Sequence, residues 1–514
     1  MRILTLAGLS AAALAFAASS TGCYALGGDC KLNYNCESTG GAGGDGGSGA
    51  TGGGGGAPPS CVPANNSTPV GNECGVFVSS TKGEDSNPGT KEKPFATIAT
   101  ALTAANGGPV YLCGEPLLES VELTSKTEIY GGLDCETDWK YDAAAPTTLT
   151  ASGDMIPLRV SSKTTAELFD VVIRADDAQV PGGSSIALIA EGDADVRLTR
   201  CKVEAGNGKN GEDGDDFLET AAEGNPGIAG GLACSAGTVI TPNPVAVQCG
   251  ELQSIGGIGG IGTESVGGAG NPGSPLGTPN GGKGEELGGS GAACTDATPG
   301  DPGAIGAPGD GATALGSLQA GQGFVGSIGA DGKPGLPGQG GGGGGGAKGG
   351  TGASKCTMPG SAGGASGGSG GSGGCGGQGG RGGGAGGASI GIISLGAKLT
   401  FSDVTIESKS GGKGGNGGVG QLGGEGGTGG LGGSKANFNL LKNGCNGGVG
   451  GKGGNGGTGG GGRGGHSIGI AHNGTPPDMT GATITTGAAG NGGTGEGETG
   501  AGAPGTAQKA QEFN

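Results

Sequence analysis

Short runs of alternating apolar and polar residues recur along the chain, and several of them are copies of one another. The four copies lie at 155–175, 185–205, 389–408 and 467–486, and the first two align without a gap. Their matched isoleucines are Ile156, Ile186, Ile390 and Ile468. Because side chains alternate with a period of two residues, each copy predicts two short β-strands separated by a turn.

One such unit cannot bury its apolar face alone, so the copies are expected to stack on one another. With no helical pattern between them, they predict an all-β chain folded as a right-handed parallel β-helix, with the four isoleucines one above another. A second matched position holds Val171, Cys201, Val404 and Ala482, which are all small or medium in size. Cys201 is therefore expected in the core as an unpaired thiol.

The residues before the repeats predict an N-terminal cap. A strand at 76–78 and a turn-rich stretch lead to Pro94, which opens a short predicted helix with Phe95, Ile98 and Leu102 on one face. This helix is suited to cover an open end of the sheets. The sole tryptophan, Trp139, lies in a turn-rich stretch and is expected to pack rather than to bind a ligand.

Glycine dominates the remainder, with 140 glycines in 514 residues and only 3% aromatic residues. This composition excludes an ordinary globular enzyme. The tracts 367–384, 411–434 and 444–461 consist of in-phase triplets, nearly all Gly-Gly-X. Such a repeat suits extended segments of polyproline-II geometry that pack side by side, while a solvated flexible loop stays an alternative. The two long glycine-rich stretches, between the second and third copies and between the third and fourth, leave and re-enter the repeat at equivalent points. This predicts glycine-rich excursions from one side of the β-helix.

The N-terminus has the residue pattern of an export signal, with one arginine, an apolar run and then small residues. The stretch before Cys23 resembles a bacterial lipobox, except that Ser20 stands where leucine is usual. Cleavage before a lipidated Cys23 competes with cleavage after an Ala-x-Ala site at 15–17. These patterns give the expected organisation: a signal peptide at 1–22, a Gly/Ser-rich tether at 23–60, the cap and β-helix rungs at 61–205, a glycine-rich insertion at 206–385, a rung at 386–409, a Gly-Gly-X insertion at 410–465, a rung at 466–486 and a glycine-rich tail at 487–514.

Fourteen cysteines in an exported chain with two histidines indicate disulfides rather than a metal site. Connectivity does not follow from one sequence, but pairing cysteines close in sequence gives Cys30–Cys36, Cys61–Cys74, Cys113–Cys135, Cys234–Cys249, Cys294–Cys356 and Cys375–Cys445. This scheme leaves Cys23 for the lipid and Cys201 for the core.

Charge and motifs offer little chemistry. The net charge of −18 argues against nucleic acid as a partner, even with Arg-Gly-Gly at Arg381 and Arg463. His466 and His472 are expected at the surface. We predict no catalytic residue, no metal ligand set and no cofactor.

The acidic residues near the rungs, Asp170, Asp176, Asp177, Asp193 and Asp195, lie among Arg174, Arg197 and Arg200. They could serve glycoside hydrolysis or hold calcium, but solvated turns and ion pairs are the simpler interpretation. The acidic stretch 212–216 lacks a complete calcium-loop spacing.

The stretches 76–80, 87–90 and 94–98, followed by stacked strands, resemble the opening of pectin-lyase-like parallel β-helix proteins of bacterial surfaces. The Gly-Gly-X tracts are similar to those of PE-PGRS-type glycine-rich surface proteins and to the polyglycine-II modules of antifreeze proteins and phage adhesins. No catalytic residue of the lyases or polygalacturonases of that fold carries over to this chain.

These observations predict an exported, lipid-anchored cell-envelope protein with a structural or adhesive role. Its expected partners are surface polysaccharides or matrix components, with membrane contact only through the lipid. The alternative is a carbohydrate-active enzyme, a polysaccharide lyase or glycoside hydrolase, on the same scaffold. Ice binding is a third hypothesis, disfavoured by the scarcity of regularly spaced threonines.

Overall fold

The computed structural model describes residues 61–65, 68–286 and 292–513. The predicted signal peptide and tether, with Cys23, Cys30 and Cys36, lie outside these residues. The described residues contain one α-helix, α1 (Ile98–Ala105), and three short 3-10 turns (Pro63–Asn65, Asn72–Cys74, Pro359–Ser361). The strands are β1 Val76–Val78, β2 Pro109–Cys113, β3 Pro116–Leu118, β4 Val121–Leu123, β5 Thr127–Asp134, β6 Lys140–Tyr141, β7 Thr147–Ala151, β8 Leu158–Val160, β9 Thr165–Phe169, β10 Val171–Ala175, β11 Ser185–Glu191, β12 Asp195–Thr199, β13 Lys202–Ala205, β14 Thr238–Val239, β15 Ala246–Cys249, β16 Leu252–Ile255, β17 Gly262–Thr263, β18 Ser317–Gln319, β19 Gly323–Val325, β20 Ser389–Leu395, β21 Lys398–Ser402, β22 Val404–Ser408, β23 Ser467–Asn473, β24 Ala482–Thr485 and β25 Ala507–Glu512.

Most of these strands form three parallel sheets. Sheet A has the order β1-β2-β5-β9-β12-β21, sheet B the order β3-β7-β10-β13-β22-β24, and sheet C the order β4-β8-β11-β20-β23-β25. Five successive passes of the chain, from β2 to β23, visit sheets A, B and C in that order. The chain is therefore predominantly β, with stacked parallel sheets compatible with a parallel β-helix.

The predicted stacking of the repeats is confirmed by the register of sheet C. Ile186 pairs with Ile390, which pairs in turn with Ile468. Ile156 precedes β8, whose Leu158 pairs with Leu188. The four isoleucines belong to one buried apolar cluster.

Side chains of the three sheets meet in one apolar interior, to which Leu188 of sheet C, Leu198 of sheet A and Val203 of sheet B contribute. Cys201 is buried there and is unpaired, as expected. In the repeated Ser-Ile-Gly-Ile motif, close packing leaves no space for a side chain at the glycine. A Cβ on Gly391 would lie 2.6 Å from Ile406, and one on Gly469 would lie 2.3 Å from Ile484.

The central strands of sheet C, β11, β20 and β23, are buried on both faces, which explains why apolar and small residues follow one another in them without strict alternation. The outer face of sheet C carries Ile186, Ile390 and Ile468. The hairpin of β18 and β19 covers this face with Leu318 and Phe324, and Phe513 packs into the same cluster. The residues expected as a glycine-rich tail therefore end in strand β25 of sheet C and in a buried phenylalanine.

The predicted N-terminal helix contacts β1, β2 and β4 at the first layer of the sheets. It begins at Ile98 rather than at Pro94, because Thr97 is in extended conformation and its side chain caps the helix. The Glu119 carboxylate accepts the amides of Ile98 and Ala99 at 2.8 and 2.9 Å. Trp139 is buried against Phe77 in a separate aromatic cluster, which confirms its packing role.

Five disulfides are present in the described residues. Cys61–Cys74 and Cys113–Cys135 agree with the expected pairs. The other three expected pairs, Cys234–Cys249, Cys294–Cys356 and Cys375–Cys445, are wrong, because the structure joins Cys234–Cys356, Cys249–Cys375 and Cys294–Cys445 instead. These bonds span 122, 126 and 151 residues. Glycine-rich segments distant in sequence lie side by side, so spatial neighbours are not sequence neighbours.

Candidate functional site

The acidic and basic residues singled out near the rungs form stacked ion pairs. Asp170 and Arg200 occupy equivalent corners between a sheet A strand and a sheet B strand, both with left-handed backbone (φ 57° and 51°). The Arg200 guanidinium donates to both Asp170 carboxylate oxygens, at 2.8 and 2.7 Å, and the Tyr141 hydroxyl donates to Asp170 at 2.8 Å. The hydrogen bond to Asp170 raises the pKa of Arg200.

Asp195 and Asp177 are engaged elsewhere. Asp195 accepts a 2.9 Å bond from Arg197, which also reaches Glu167 at 2.9 Å. Asp177 accepts the backbone amide of Asn207 at 2.7 Å, and this bond is the main reason why the pKa of Asp177 is lowered. Asp176 and Asp193 are exposed. The simpler interpretation of this group, ion pairs and solvated turns, is the arrangement observed.

A polar cavity of 570 Å³ lies beside β10, β13 and β22. Glu204 at its wall accepts 2.5 Å bonds from Arg174 and Lys202, and Lys202 also reaches Glu407 at 3.0 Å. Burial alone would raise the pKa of Glu204, but its bonds to Lys202 and Arg174 outweigh this effect and lower it. A carboxylate held ionised in this way is poorly suited to donate a proton as a general acid.

The expectation that both histidines lie at the surface is wrong. His466 is fully buried, and His472 is 4% exposed. His466 Nε2 donates to the Leu315 carbonyl at 2.8 Å, while Nδ1 accepts the Thr506 amide at 2.9 Å. Burial lowers the pKa of His466. The imidazole therefore links β23, the segment before β18 and the segment before β25 as a neutral group.

The remaining candidates also have structural surroundings. Burial raises the pKa of the Cys201 thiol to about 11, so it is not a reactive nucleophile. Arg381 pairs with Asp331 at 2.7 Å, and Arg463 is largely buried, donating to the Thr313 carbonyl. Within the described ranges, no group of three or more His, Cys, Asp or Glu side chains is arranged to hold a metal ion.

The glycine-rich tracts form a hydrogen-bonded lattice of extended segments. We name the segments L1 (206–233), L2 (295–311), L3 (329–347), L4 (362–387), L5 (410–434), L6 (444–465) and L7 (487–495). Three successive amides of L4 donate in three directions: Gly367 to Gly260, Gly368 to Cys445 of L6 and Ser369 to Ile228 of L1, at 2.8 to 2.9 Å. Bonding repeats every third residue, which is the repeat of a polyproline-II helix. Neighbouring segments thus supply the backbone partners that a lone polyproline-II chain lacks.

Close approach explains the glycines of the lattice. A Cβ on Gly367 would lie 1.9 Å from the Gly344 carbonyl oxygen, and one on Gly370 would lie 1.8 Å from that of Gly341. These contacts are with backbone atoms, so no side-chain rotation relieves them. In L4 every third position from 366 to 381 carries a side chain, and the first three of these residues are buried serines. The hydroxyls of Ser366, Ser369 and Ser372 accept the amides of Gly231, Ile228 and Asn225 at 2.7 to 2.8 Å.

A ladder of Asn and Asp side chains, which the sequence analysis missed, joins L1 to L5. Asn207, Asn210, Asp213 and Asp216 accept the amides of Ser410, Lys413, Asn416 and Val419, respectively, at 2.6 to 3.1 Å. The acidic stretch 212–216 is therefore part of the lattice. The spacing of three residues between these side chains was the signal that could have indicated this role.

No protein family, no curated protein and no solved structure matches this chain. Among the described residues, no helix is both long and apolar enough to span a membrane. The disulfides favour an oxidising environment such as the cell envelope or the outside of the cell.

Proposed function

We propose that this chain is an exported structural protein of the cell envelope, anchored by a lipid on Cys23. In this proposal a right-handed parallel β-helix carries the glycine lattice on one side. The long connections at 206–388, 409–466 and 486–506 support this arrangement, because each leaves a sheet B strand and returns to a sheet C strand. Its role is to present a stiff, acidic surface for adhesion to surface polysaccharides or matrix components.

The observation that carries this proposal is the continuity between strands and lattice. Lys202 pairs with Thr405 in sheet B, and Asn207 bonds to Ser410 in the lattice at the same separation of 203 residues. The separation persists as far as Asp216 and Val419. A register that passes unbroken from strands into glycine segments is what a rigid scaffold requires.

The paired state of the carboxylates supports a structural role over the carbohydrate-active alternative. Glycoside hydrolysis needs one carboxyl that can donate a proton and a second that acts on the opposite face of the sugar. Asp170 and Asp195 are instead bound to Arg200 and Arg197.

Two experiments test the proposal. Purified protein incubated with acidic and neutral polysaccharides, with calcium present, is expected to bind insoluble envelope polysaccharide and to release no product. Turnover that disappears in Asp170→Asn or Asp195→Asn, but survives in the exposed control Asp176→Asn, would contradict it.

For the anchor, Cys23→Ser is expected to move the protein from the membrane fraction to the soluble fraction, while Ser19→Ala stays with the membranes. Unchanged membrane association of Cys23→Ser would refute lipidation.

A further inference from the structure

The last glycine segment, L7, shows how the lattice takes up an additional chain. L7 lies in the groove between L5 and L6. The amides of Gly411, Gly414 and Gly417 of L5 donate to L7 carbonyls at 2.8 to 2.9 Å. In return, Gly490 and Gly493 of L7 donate to carbonyls of L6 at 2.9 Å. The groove therefore offers donors along one wall and acceptors along the other.

L5 and L6 continue beyond the end of L7, and so does the groove. We call the stretch between residues 420–432 of L5 and 447–459 of L6 the open lane. At the positions that follow Gly417 in steps of three, the amides of Gly420, Gly426 and Gly429 have no hydrogen-bond partner among the described residues. Opposite them, the carbonyls of Gly450, Gly453, Gly456 and Gly459 likewise accept no hydrogen bond from the described part of the chain. Unpaired backbone groups along a partly buried groove resemble the edge of a β-sheet.

We propose that the open lane binds a glycine-rich segment of another polypeptide chain, extended in polyproline-II geometry, with glycine at every third residue. The seated L7 defines this chemistry. A Cβ on Gly490 would lie 1.9 Å from the Gly412 carbonyl oxygen, and one on Gly493 would lie 1.7 Å from that of Gly415. Asn491 and Thr494, one residue further along, are exposed and so tolerate side chains.

The spacing of the lane matches such an occupant. Polyproline II rises about 3.1 Å per residue, so an occupant parallel to L5 presents a carbonyl about every 9 Å, in step with the amides of L5. The binding mode is the lattice counterpart of strand addition to a sheet edge, where main-chain bonds give affinity and one repeating position gives specificity.

Side chains of L6 now bridge the lane and must move aside. Asn455 and Asn446 accept the amides of Gly423 and Gly432 at 3.0 and 2.9 Å. Lys452 pairs with Glu425 at 2.7 Å, and both side chains are about half exposed. Exposed ion pairs contribute little free energy, so displacing the Lys452–Glu425 pair costs little. This inference goes beyond the envelope role and does not depend on it.

The test uses a synthetic peptide with three copies of Gly-Asn-Gly-Gly-Thr-Gly, the sequence of residues 490–495. Hydrogen exchange of the full-length protein is measured on fragments covering 419–430, without and with saturating peptide. We expect the amides of Gly420, Gly426 and Gly429 to exchange at least about tenfold more slowly with peptide. A control peptide with alanine at the positions of Gly490 and Gly493 is expected to give no protection.

Two variants sharpen the test. Lys452→Ser removes an ion pair that spans the lane and is expected to tighten peptide binding. Lys413→Ser, on the part of L5 already covered by L7, is expected to leave binding unchanged. Exchange in 419–430 that is unaffected by the peptide, or equal protection by the alanine peptide, would overturn the inference.

Discussion

The stacked strands and the glycine lattice both pair backbone groups between segments distant in sequence, yet they do so by opposite means. In the sheets, Leu188 and Ile392 fill an interior shared by three faces. In the lattice, Gly367 and Gly370 leave no space for even one carbon atom. Order in the first region comes from side chains that fill space, and order in the second from side chains that are absent.

This difference has an energetic consequence. Burial of apolar side chains stabilises the sheets by about 25 cal/mol per Å², whereas the lattice has little apolar surface to bury. Glycine also loses more backbone freedom on ordering than any other residue, by about 0.5–1 kcal/mol relative to alanine. The lattice therefore depends on hydrogen bonds and cross-links. Of the five disulfides in the described residues, Cys234–Cys356, Cys249–Cys375 and Cys294–Cys445 join its segments or the loops between them.

The largest expected effect is a loss of stability in the lattice alone when its disulfides are removed. Replacing the cysteines of the three lattice disulfides with serine is expected to destabilise the lattice by about 2–5 kcal/mol per bond, because long closed loops are released. Strands β7 to β13 contain no disulfide and are expected to keep their structure. Limited proteolysis should cleave within L1 to L6 and spare residues 147–205. Simultaneous loss of both regions would show that they do not differ in this way.

A smaller effect is expected from one methyl group in the lattice. Gly370→Ala places a Cβ against the Gly341 carbonyl oxygen and should cost at least about 1–3 kcal/mol, as overpacking does in a dense core. The exposed Gln378 lies in the same segment, and Gln378→Ala is expected to change stability by less than about 0.5 kcal/mol. Chemical denaturation measures both. Equal stabilities of the two variants would mean that the segments are not in contact.

The smallest effect concerns pH at the junction between the regions. Because burial lowers the pKa of His466, the unfolded chain binds a proton more readily than the folded one. The stability from neutral His466 is complete above about pH 6.5. Below that pH, this contribution to the free energy of unfolding falls by about 1.4 kcal/mol for each unit by which the pH decreases, until the folded-state pKa is reached. His466→Gln is expected to remove this slope between about pH 7 and 5.5. An unchanged slope in His466→Gln would contradict the assignment.

The sequence predicted the strand region far better than the lattice. Matched isoleucines such as Ile186 and Ile390 reveal their pairing because an apolar repeat with period two has one favourable register. Gly-Gly-X triplets look alike in every register, so nothing local indicated that L4 lies beside L1, L3, L5 and L6. The long-range disulfides were mispaired for this reason.

The candidate site was anticipated in part. Ion pairing of Asp170 and Asp195 was among the interpretations that the sequence allowed. The burial of His466 was missed, because the segment that covers it lies about 150 residues earlier in the chain. The Asn and Asp ladder at Asn207 and Asp213 was readable in principle, since its members recur every third residue.

Amide hydrogen exchange resolved by fragment tests the central claim, that the glycine tracts are an ordered lattice, most directly. Fragments from 366–384 and 444–462 are expected to exchange slowly, on the timescale of fragments from β11 and β20, because their amides are bonded to neighbouring segments. Complete exchange of the glycine fragments within seconds, while the strand fragments stay protected, would contradict the account.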